Sequence, residues 1–296
     1  MHHVEARKIT YKIANALIVV LMLFLIVITI YPMYYTICAS FSDARALMKS
    51  SDLLLKPLEP ATLEGYRMVF SNPNILHSFY NTIFYVVVGT AISMALTIAG
   101  AYVTSREDFL PRNVMMKGML FTMFFSGGLI PWFFVVRDLG MYNTRWAIVI
   151  PAALSTYNLI IMRTFFKSIP AALEESALLD GANDFQVLTR ITLPLSSSVL
   201  AVIGMYYAVA QWNGWYHSLI FHRSRELYPL QMILRELLIL NEMSSTDSAA
   251  NLVEESYAKD LIKYCTITVT TVPILVIYPF LQKYFVKGVM IGAVKG

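Results

Sequence analysis

Residues 13–39 form an apolar run as long as the hydrocarbon core of a bilayer requires. The run is too long for the core of a signal peptide, and no A-x-A cleavage site follows it. A backbone that lies away from water must satisfy its own N–H and C=O groups, which a single segment does only as a helix. We therefore expect residues 13–39 to form a retained transmembrane helix.

Five further apolar segments follow, separated by polar stretches. Of the 296 residues, 57% are hydrophobic and 14% are charged, which is too few charges for the surface of a soluble protein. The sequence therefore predicts an all-α, polytopic membrane protein with six transmembrane helices. The expected segments are a tail (1–12), helix 1 (13–39), a loop (40–78), helix 2 (79–104), helix 3 (117–137), helix 4 (145–166), a polar hairpin (167–194), helix 5 (195–220), a loop (221–260), helix 6 (261–283) and a tail (284–296).

The polar stretch between helices 4 and 5 has the local signals of two short helices joined by a bend. Ser168 can cap the first helix, whose body is rich in good helix formers. Gly181 readily adopts a positive φ and so can end that helix. Asn183 followed by Gln186 is a capping-box pattern for the second helix, which Pro194 is expected to end. We expect a helical hairpin outside the bilayer.

The same stretch contains a longer pattern. Glu175-Ser176-Ala177 is followed after three residues by Gly181, and after nine more by Ile191-Thr192-Leu193-Pro194. This spacing resembles the EAA loop of ABC-importer permeases, whose pattern is E-A-A, three residues, G, nine residues and I-x-L-P. Only Ser176 departs from the pattern, and there one small residue replaces another. The resemblance implies a cytoplasmic loop that contacts an ATPase.

Nearly the whole chain is similar to the MalG-type permeases of carbohydrate importers. The similarity begins at Asn81-Thr82, includes Trp212-Asn213 and extends to the terminal FVKGVMIGAVKG. The stretches FFSGGLIPWFFVVRDLGMYNTRWAIVIP and IIMRTFF resemble the subfamily that serves oligo- and polysaccharides, which includes the permeases of the alginate importer. The resemblance implies the type I ABC importer permease fold and ATP-driven import of an oligo- or polysaccharide.

The sequence has no G-x-x-x-x-G-K-[ST] phosphate-binding loop, so ATP and Mg²⁺ are expected on a separate ATPase and no cofactor on this chain. The resemblance implies that the first helix of the hairpin docks in a groove of that ATPase through apolar contacts and one charged hydrogen bond from Glu175. Closure of the ATPase pair would then move the hairpin as a rigid body and switch the helices between inward- and outward-facing states. The expected coupling residues are Leu173, Glu175, Ala177, Leu178, Asp180 and Gly181.

The same resemblance implies a set of partners. They are an ABC ATPase dimer, a second homologous permease, an extracytoplasmic solute-binding protein that contacts residues 221–260, a glycan and membrane lipid. The chain is expected in the bacterial cytoplasmic (inner) membrane with both termini in the cytoplasm and the C-terminal tail at the ATPase. Under the six-helix topology the numbers of Lys and Arg residues on the two sides of the membrane are nearly equal, so the positive-inside rule adds little. The net charge of +4 indicates no nucleic-acid partner.

Polar residues inside the apolar segments are the candidates for a substrate pathway, because polar groups at that depth usually face the bundle or a cavity. They are Tyr157 and Asn158 in helix 4, and Gln211, Trp212 and Asn213 in helix 5. An aromatic ring beside amides suits a sugar, since the ring contacts C–H surfaces and the amides pair with hydroxyls. An aromatic belt at the outer interface would produce the same pattern in helix 5.

Two helices have unusual backbone signals. Helix 3 contains Gly127, Gly128 and Pro131, which predict a kink or an opening of the backbone inside the membrane. Helix 2 has small residues spaced by three or four, a pattern that lets another helix approach closely. These small residues are Gly89, Ser93, Thr97 and Gly100.

An enzyme is an alternative to a permease. A polytopic enzyme could use Glu174, Glu175 and Asp180 as acid–base groups, although no nucleophile or metal cluster stands beside them in the sequence. The histidines lack ligand spacing, and Cys38 and Cys265 lie in apolar segments, so the sequence predicts neither a metal site nor a disulfide.

An ATPase-independent secondary transporter or channel is a second alternative. Such a protein would be expected to have intramembrane carboxylates or an inverted repeat. The mid-helix positions carry amides, hydroxyls and aromatic rings but no Asp or Glu. A neutral lining suits neutral sugars, and it remains compatible with an acidic one because Arg163, His217 or the partner chain could supply positive charge.

Overall fold

The computed structural model describes residues 2–50, 53–71, 73–244, 260–276 and 278–279, excluding the side chains of residues 2–10, 48 and 240–244. Within them every regular element is helical, which confirms the predicted all-α fold. Loop residues 245–259, the expected end of helix 6 (280–283) and the tail 284–296 lie outside the described residues.

The helices are, in chain order, α1 (His2–Ser40), α2 (Ala44–Lys49), α3 (Glu64–Ser71), α4 (Pro73–Ser105), α5 (Arg112–Phe124), α6 (Leu129–Asp138), α7 (Trp146–Val149), α8 (Thr156–Phe166), α9 (Ala171–Leu179), α10 (Asp184–Val187), α11 (Leu193–Leu195), α12 (Ser197–Trp212), α13 (Tyr216–Phe221), α14 (Leu230–Ser244) and α15 (260–276). They form two compact units, one within Met1–Ser71 and Leu237–Thr271 and the other within Asn72–Glu236 and Val272–Gly296.

In the first unit the end of α1 packs against α15. The rings of Tyr35 and Tyr264 meet edge to face with centroids 6.0 Å apart. The Cys265 thiol donates to the Ser40 carbonyl at 3.3 Å. Gly65 of α3 fits against this contact, because a Cβ at that position would lie 2.5 Å from the Cys265 sulfur. Position 65 therefore requires a residue without a side chain.

The long middle of α1 is apolar and uncovered. Among the described residues nothing buries the apolar window of its candidate span, Tyr11–Ser40. Large side chains such as Leu17 and Phe24 are more than half exposed. A helix that is hydrophobic all round is stable only inside a membrane or against another apolar surface. The exposed surface of α1 is therefore suited to contact with lipid or with another apolar surface.

The second unit is built around α4, which packs against α8 and α12. The fully buried Leu159 and Ile203 belong to the core between these helices. A Cβ on Gly89 would lie 2.7 Å from the amide nitrogen of Gln211 in α12, and a Cβ on Gly100 would lie 2.8 Å from Leu159 in α8. The close approach predicted from the small residues of helix 2 is therefore confirmed on two neighbours.

Sharp bends interrupt two of the apolar segments. Helices α5 and α6 are bent by 118°, and Gly128 at the break has a φ of 87°. The predicted break at Gly127 and Gly128 is confirmed. A second bend of 85° separates Asp184–Leu195 from α12. By length and apolar composition α1 and α4 can each cross a membrane, and each bent pair counts as a further candidate span.

The fourth apolar segment contains two helices, α7 and α8. Pro151 lacks the N–H that a continuous helix would need, and the chain turns there before α8 begins. The hydroxyl of Ser155 caps α8 by accepting from the Asn158 N–H at 3.4 Å. Ser155 and Asn158 thus lie at the start of α8, although they stand near the middle of the expected helix 4 (145–166).

Candidate functional site

The turn between α9 and α10 is closed by Gly181, whose φ is 83°. The Gly181 N–H donates to the Leu178 carbonyl at 3.0 Å, and the Ala182 N–H donates to the Ala177 carbonyl at 2.9 Å. This pair of bonds is a Schellman motif, which satisfies the last carbonyls of a helix and needs a left-handed residue after it. The structure confirms the predicted turn at Gly181 and explains why glycine suits it.

The two hairpin helices begin differently. Helix α10 has a full capping box, as predicted, because Asn183 and Gln186 each accept from the other's backbone N–H at 2.9 Å. At the start of α9 the predicted Ser168 cap is wrong. Pro170 holds an extended conformation directly before α9, and the Ser168 hydroxyl donates instead to the Phe165 carbonyl at 2.6 Å.

Beyond α10 the helix does not stop at Pro194. It continues through a π-helical turn, Leu188–Thr192, into α11 and ends at Leu195. Pro194 is the second residue of α11, directly after the π-helical turn. The sharp bend follows at Ser196, so the hairpin is joined to α12 by a corner and not by a flexible loop.

The hairpin exposes large apolar side chains. Leu173 and Leu178 are 46% and 48% exposed, and Leu179 is 89% exposed. Helix α9 lies outside both candidate spans and both bent pairs. An exposed apolar cluster of this kind is a candidate interaction site. Of the other expected coupling residues, Glu175 and Asp180 are exposed and Ala177 is half-buried.

Glu174, the carboxylate next to the expected coupling residue Glu175, forms an ion pair with Arg106. Arg106 also donates to the hydroxyl of Tyr102, and its guanidinium lies 4.3 Å from the centre of the Tyr102 ring. Tyr102 in turn donates to the backbone carbonyl of Asp184 at 3.0 Å. We call Tyr102, Arg106, Glu174 and the Asp184 carbonyl the Arg106 cluster. It connects the end of α4 to both hairpin helices.

Two further arginines fix the end of α4. Arg163 of α8 donates to the Thr104 carbonyl at 2.8 Å, and Arg112 of α5 donates to the Arg106 carbonyl at 2.8 Å. Carbonyls at a helix C-terminus lack helical partners and attract cations. The sequence did not predict these contacts, because arginines beside a membrane helix are ordinarily attributed to the excess of positive charge in cytoplasmic loops.

The predicted pathway residues of helix 5 differ in burial. Gln211 and Trp212 are each only 8% exposed and lie against α4, Gln211 beside Gly89 and Trp212 edge-on to Phe79 at 6.3 Å. Asn213 is exposed, and its amide donates to a carbonyl of the preceding helical turn. Asn213 is therefore the member of this trio that is open to a ligand.

The predicted pathway residues of helix 4 also separate, since Tyr157 is 55% exposed and Asn158 only 6%. Near them lies a buried polar contact that joins three helices. The Tyr207 hydroxyl of α12 accepts from the Ser155 N–H at 3.1 Å and shares a hydrogen bond of 2.7 Å with the Thr97 hydroxyl of α4. The break before α8 is thus pinned to the packed core.

The segment before α14 is tied to the first half of α4. The Asn81 amide donates to the Glu226 carbonyl at 2.6 Å and accepts from Arg145 at 3.0 Å. The Thr82 hydroxyl accepts from the Leu230 N–H at 2.8 Å. The Asn81-Thr82 pair singled out in the sequence therefore holds residues 226–230 in place.

His222 lies in the same region. Its Nε2 is 3.1 Å from the Thr144 carbonyl and its Nδ1 is 3.1 Å from the Ser218 hydroxyl. These partners assign a neutral ring that donates from Nε2 and accepts at Nδ1. Burial lowers the pKa of His222, and the bond to the Thr144 carbonyl opposes that effect.

Within the described residues no three His, Cys, Asp or Glu side chains group together as a metal site would require.

Known proteins of similar sequence include a transport permease. The chain is 41% identical to Protein LplC of Bacillus subtilis (strain 168) over 271 residues, which cover 91% of this chain and 90% of that protein. It is 37% identical to the polygalacturonan/rhamnogalacturonan transport system permease protein YtcP of the same organism, over 96% of this chain and 99% of that protein. No family model matches the chain.

A solved structure matches the fold. It is the crystal structure of a bacterial ABC transporter involved in the import of the acidic polysaccharide alginate. The match has a TM-score of 0.84 and 31% sequence identity, and it covers 93% of this chain and 97% of the compared chain.

Proposed function

Because the chain belongs to the permease subunits of carbohydrate ABC importers, we propose that its α9–α10 hairpin transmits the motion of a partner ATPase to the transmembrane helices. As a member of this family the chain is a transport subunit and not an enzyme.

The exposed leucines of α9 carry the proposal. Leu173 and Leu178 are exposed on α9. The Schellman motif at Gly181 closes the C-terminus of α9, and the capping box closes the N-terminus of α10. The turn between α9 and α10 is thus hydrogen-bonded on both of its sides, which favours movement of the two helices together. The apolar residues of α9 supply contact area, while the exposed Glu175 and Asp180 supply charged hydrogen bonds to the partner.

Three protein partners complete the importer in this proposal. An ATPase dimer binds ATP and Mg²⁺ and receives the hairpin. A second, homologous permease shares the pathway, and the uncovered face of α1 is available to it or to lipid. A solute-binding protein delivers the glycan to residues 221–260, whose first part is held by Asn81 and Thr82. Both chain termini lie on the ATPase side, in the cytoplasm.

The proposed cargo is an oligosaccharide or polysaccharide that contains acidic sugars. Polygalacturonan appears in the name of one relative and alginate in the description of the similar structure, and both are polymers of uronic acids. The exposed Tyr157 and Asn213 are the proposed lining residues, whereas Asn158, Gln211 and Trp212 are buried. The lining offers a ring face and an amide, which recognise a sugar unit but not its charge.

Replacing Leu178 by Asp or Glu175 by Lys tests the coupling role. Each change places an unfavourable charge in the docking surface, so co-purification of the ATPase or glycan-stimulated ATP hydrolysis should fall at least about tenfold. Lys117→Ala, a change at an exposed residue of α5, is the matched control and should have no effect. Full coupled activity in both hairpin variants would refute the proposed role of the hairpin.

The cargo is tested with the intact importer. The complex is purified gently from its native membrane, its partners are identified by mass spectrometry, and it is reconstituted into vesicles. Uptake of labelled oligogalacturonate and oligoalginate is then compared with uptake of a neutral malto-oligosaccharide of equal length. Faster uptake of a uronic acid oligomer supports the proposal, whereas transport of the neutral sugar alone contradicts it.

A further inference from the structure

We infer that Arg106 is a positioning residue that fastens the coupling hairpin to α4, so that the hairpin and α4 move as one body. The inference rests on the proposed coupling role of the hairpin. It adds the route by which a push on the hairpin reaches the transmembrane helices, and it assigns that route to one side chain and its contacts.

Arg106 is placed where three helical segments meet. It follows the last residue of α4, forms its ion pair with Glu174 of α9, and donates to Tyr102 one turn back in α4. Tyr102 passes the connection on to the Asp184 carbonyl at the start of α10. Each hairpin helix is therefore attached to α4 by a side-chain hydrogen bond of its own.

The surroundings shield this ion pair from solvent more than an ordinary surface pair. The side chains of Arg106 and Glu174 are 17% and 20% exposed, and the Arg106 Nε is fully shielded from solvent without a partner among the described residues. Removal of one partner would leave the other charge largely buried and uncompensated. Substitution of either residue is therefore expected to detach α9 from Arg106.

The α4 side of the cluster is itself anchored. Arg163 and Arg112 bind the Thr104 and Arg106 carbonyls from α8 and α5. Arg106 therefore projects from a backbone that three helices hold in place. Helix α9 has no buried residue, whereas Val187 at the end of α10 is fully buried and Leu188 and Leu193 beyond it pack against the core that contains Tyr102. Without the Arg106–Glu174 ion pair, a push could therefore displace α9 without moving α4.

The test compares variants of the complete importer, reconstituted with its ATPase, second permease and binding protein. Arg106→Ala and Glu174→Gln each remove the ion pair, and Tyr102→Phe removes the bridge to α10. We expect the number of glycans imported per ATP hydrolysed to fall about tenfold, the factor that corresponds to about 1.4 kcal/mol. Assembly with the ATPase and the KM for ATP should be unchanged, since no member of the cluster belongs to the docking surface.

Two controls separate positioning from general destabilisation. Glu107→Gln removes an exposed carboxylate beside Arg106 and should leave the import ratio unchanged. The exchange Arg106→Glu with Glu174→Arg restores the pair in reverse and should recover most of the lost ratio. Wild-type ratios in Arg106→Ala and Glu174→Gln would overturn the inference while leaving the proposed function intact. Wild-type importer without ATP-driven uptake would instead refute the proposed function.

A second measurement keeps the inference testable if the alanine variant does not fold. Arg106→Cys and Glu174→Cys are combined in a chain whose Cys38 and Cys265 are replaced by Ser, and the two thiols are joined by a short bismaleimide. If the hairpin and α4 move as one body, the cross-linked importer retains uptake equal to that of the unlinked double variant. Loss of uptake on cross-linking would mean that the two elements must separate, which overturns the inference.

Discussion

The amide of Gln211 lies directly against the bare backbone of Gly89, so that a methyl group at position 89 would stand 2.7 Å from the amide nitrogen and 2.9 Å from its carbon. This contact sets the distance between α4 and α12, the two helices at the centre of the second unit. It also explains why a residue predicted to line the pathway is buried.

Gly89→Ala should therefore displace Gln211 or separate the two helices. Overpacking of this kind destabilises a protein by about 1–3 kcal/mol. We expect a lower melting temperature of the purified complex and reduced uptake. Gly204→Ala is the matched control, because its Cβ would meet only the Met94 sulfur at an ordinary 3.8 Å. Equal stability of the two variants would show that the contact does not constrain the helices.

Removal of the Tyr207 hydroxyl should weaken the junction of α4, α8 and α12. Tyr207→Phe leaves the Ser155 N–H and the Thr97 hydroxyl without their partner, which costs about 1–3 kcal/mol for a buried donor. Thr97→Val in the Tyr207→Phe background should cost less than Thr97→Val alone. Thermal unfolding of the four forms of this double-mutant cycle measures the coupling. Strictly additive effects would contradict the shared hydrogen bond.

Trp212 and Asn213 should respond differently to alanine. Trp212→Ala removes a buried ring and is expected to destabilise the complex by about 3–5 kcal/mol. Asn213→Ala and Tyr157→Ala change exposed side chains, for which effects on stability stay within about 0.5 kcal/mol. If Asn213 and Tyr157 line the pathway, these two substitutions should slow uptake severalfold while the melting temperature stays unchanged. Unaltered uptake of several glycans by both variants would remove them from the lining.

Acidification should destabilise the region around His222. Burial lowers the pKa of this histidine in the folded protein, so the unfolded chain takes up a proton more readily. The stability contribution is complete above the ordinary pKa of about 6.5 and is lost as the pH falls towards the lower folded value. His222→Gln should flatten the decline in melting temperature between pH 7 and pH 5, whereas His77→Gln, at an exposed site, should not.

The hairpin was largely predictable because its signals are local. The Gly181 N–H donates to the carbonyl three positions earlier and the Ala182 N–H to the carbonyl five positions earlier, and Asn183 and Gln186 bond to each other within one turn. Such contacts follow from residue type and spacing alone. The same holds for the break at Gly127 and Gly128, where two adjacent glycines remove the restriction that side chains place on the backbone.

Contacts across long sequence separations were not predictable in this way. Arg106 and Glu174 are 68 positions apart, and nothing in either neighbourhood specifies the other. The burial of Trp212 depends on how α12 rotates against α4, which the composition of α12 leaves open. The sequence therefore predicted candidate functional segments but not which side chains within helix 5 face outward.

The 33 residues of α4 form one helix without a break, and this continuity has a thermodynamic consequence. Asn81 near one end and Arg106 beyond the other are roughly 37 Å apart at about 1.5 Å per residue. If the hairpin docks on an ATPase as proposed, α4 joins the Asn81 region to that interface, and coupling between ligands bound at the two ends must be reciprocal. An antibody that immobilised residues 226–230 would then change the affinity of the ATPase for nucleotide, and nucleotide would change the affinity for the antibody by the same factor.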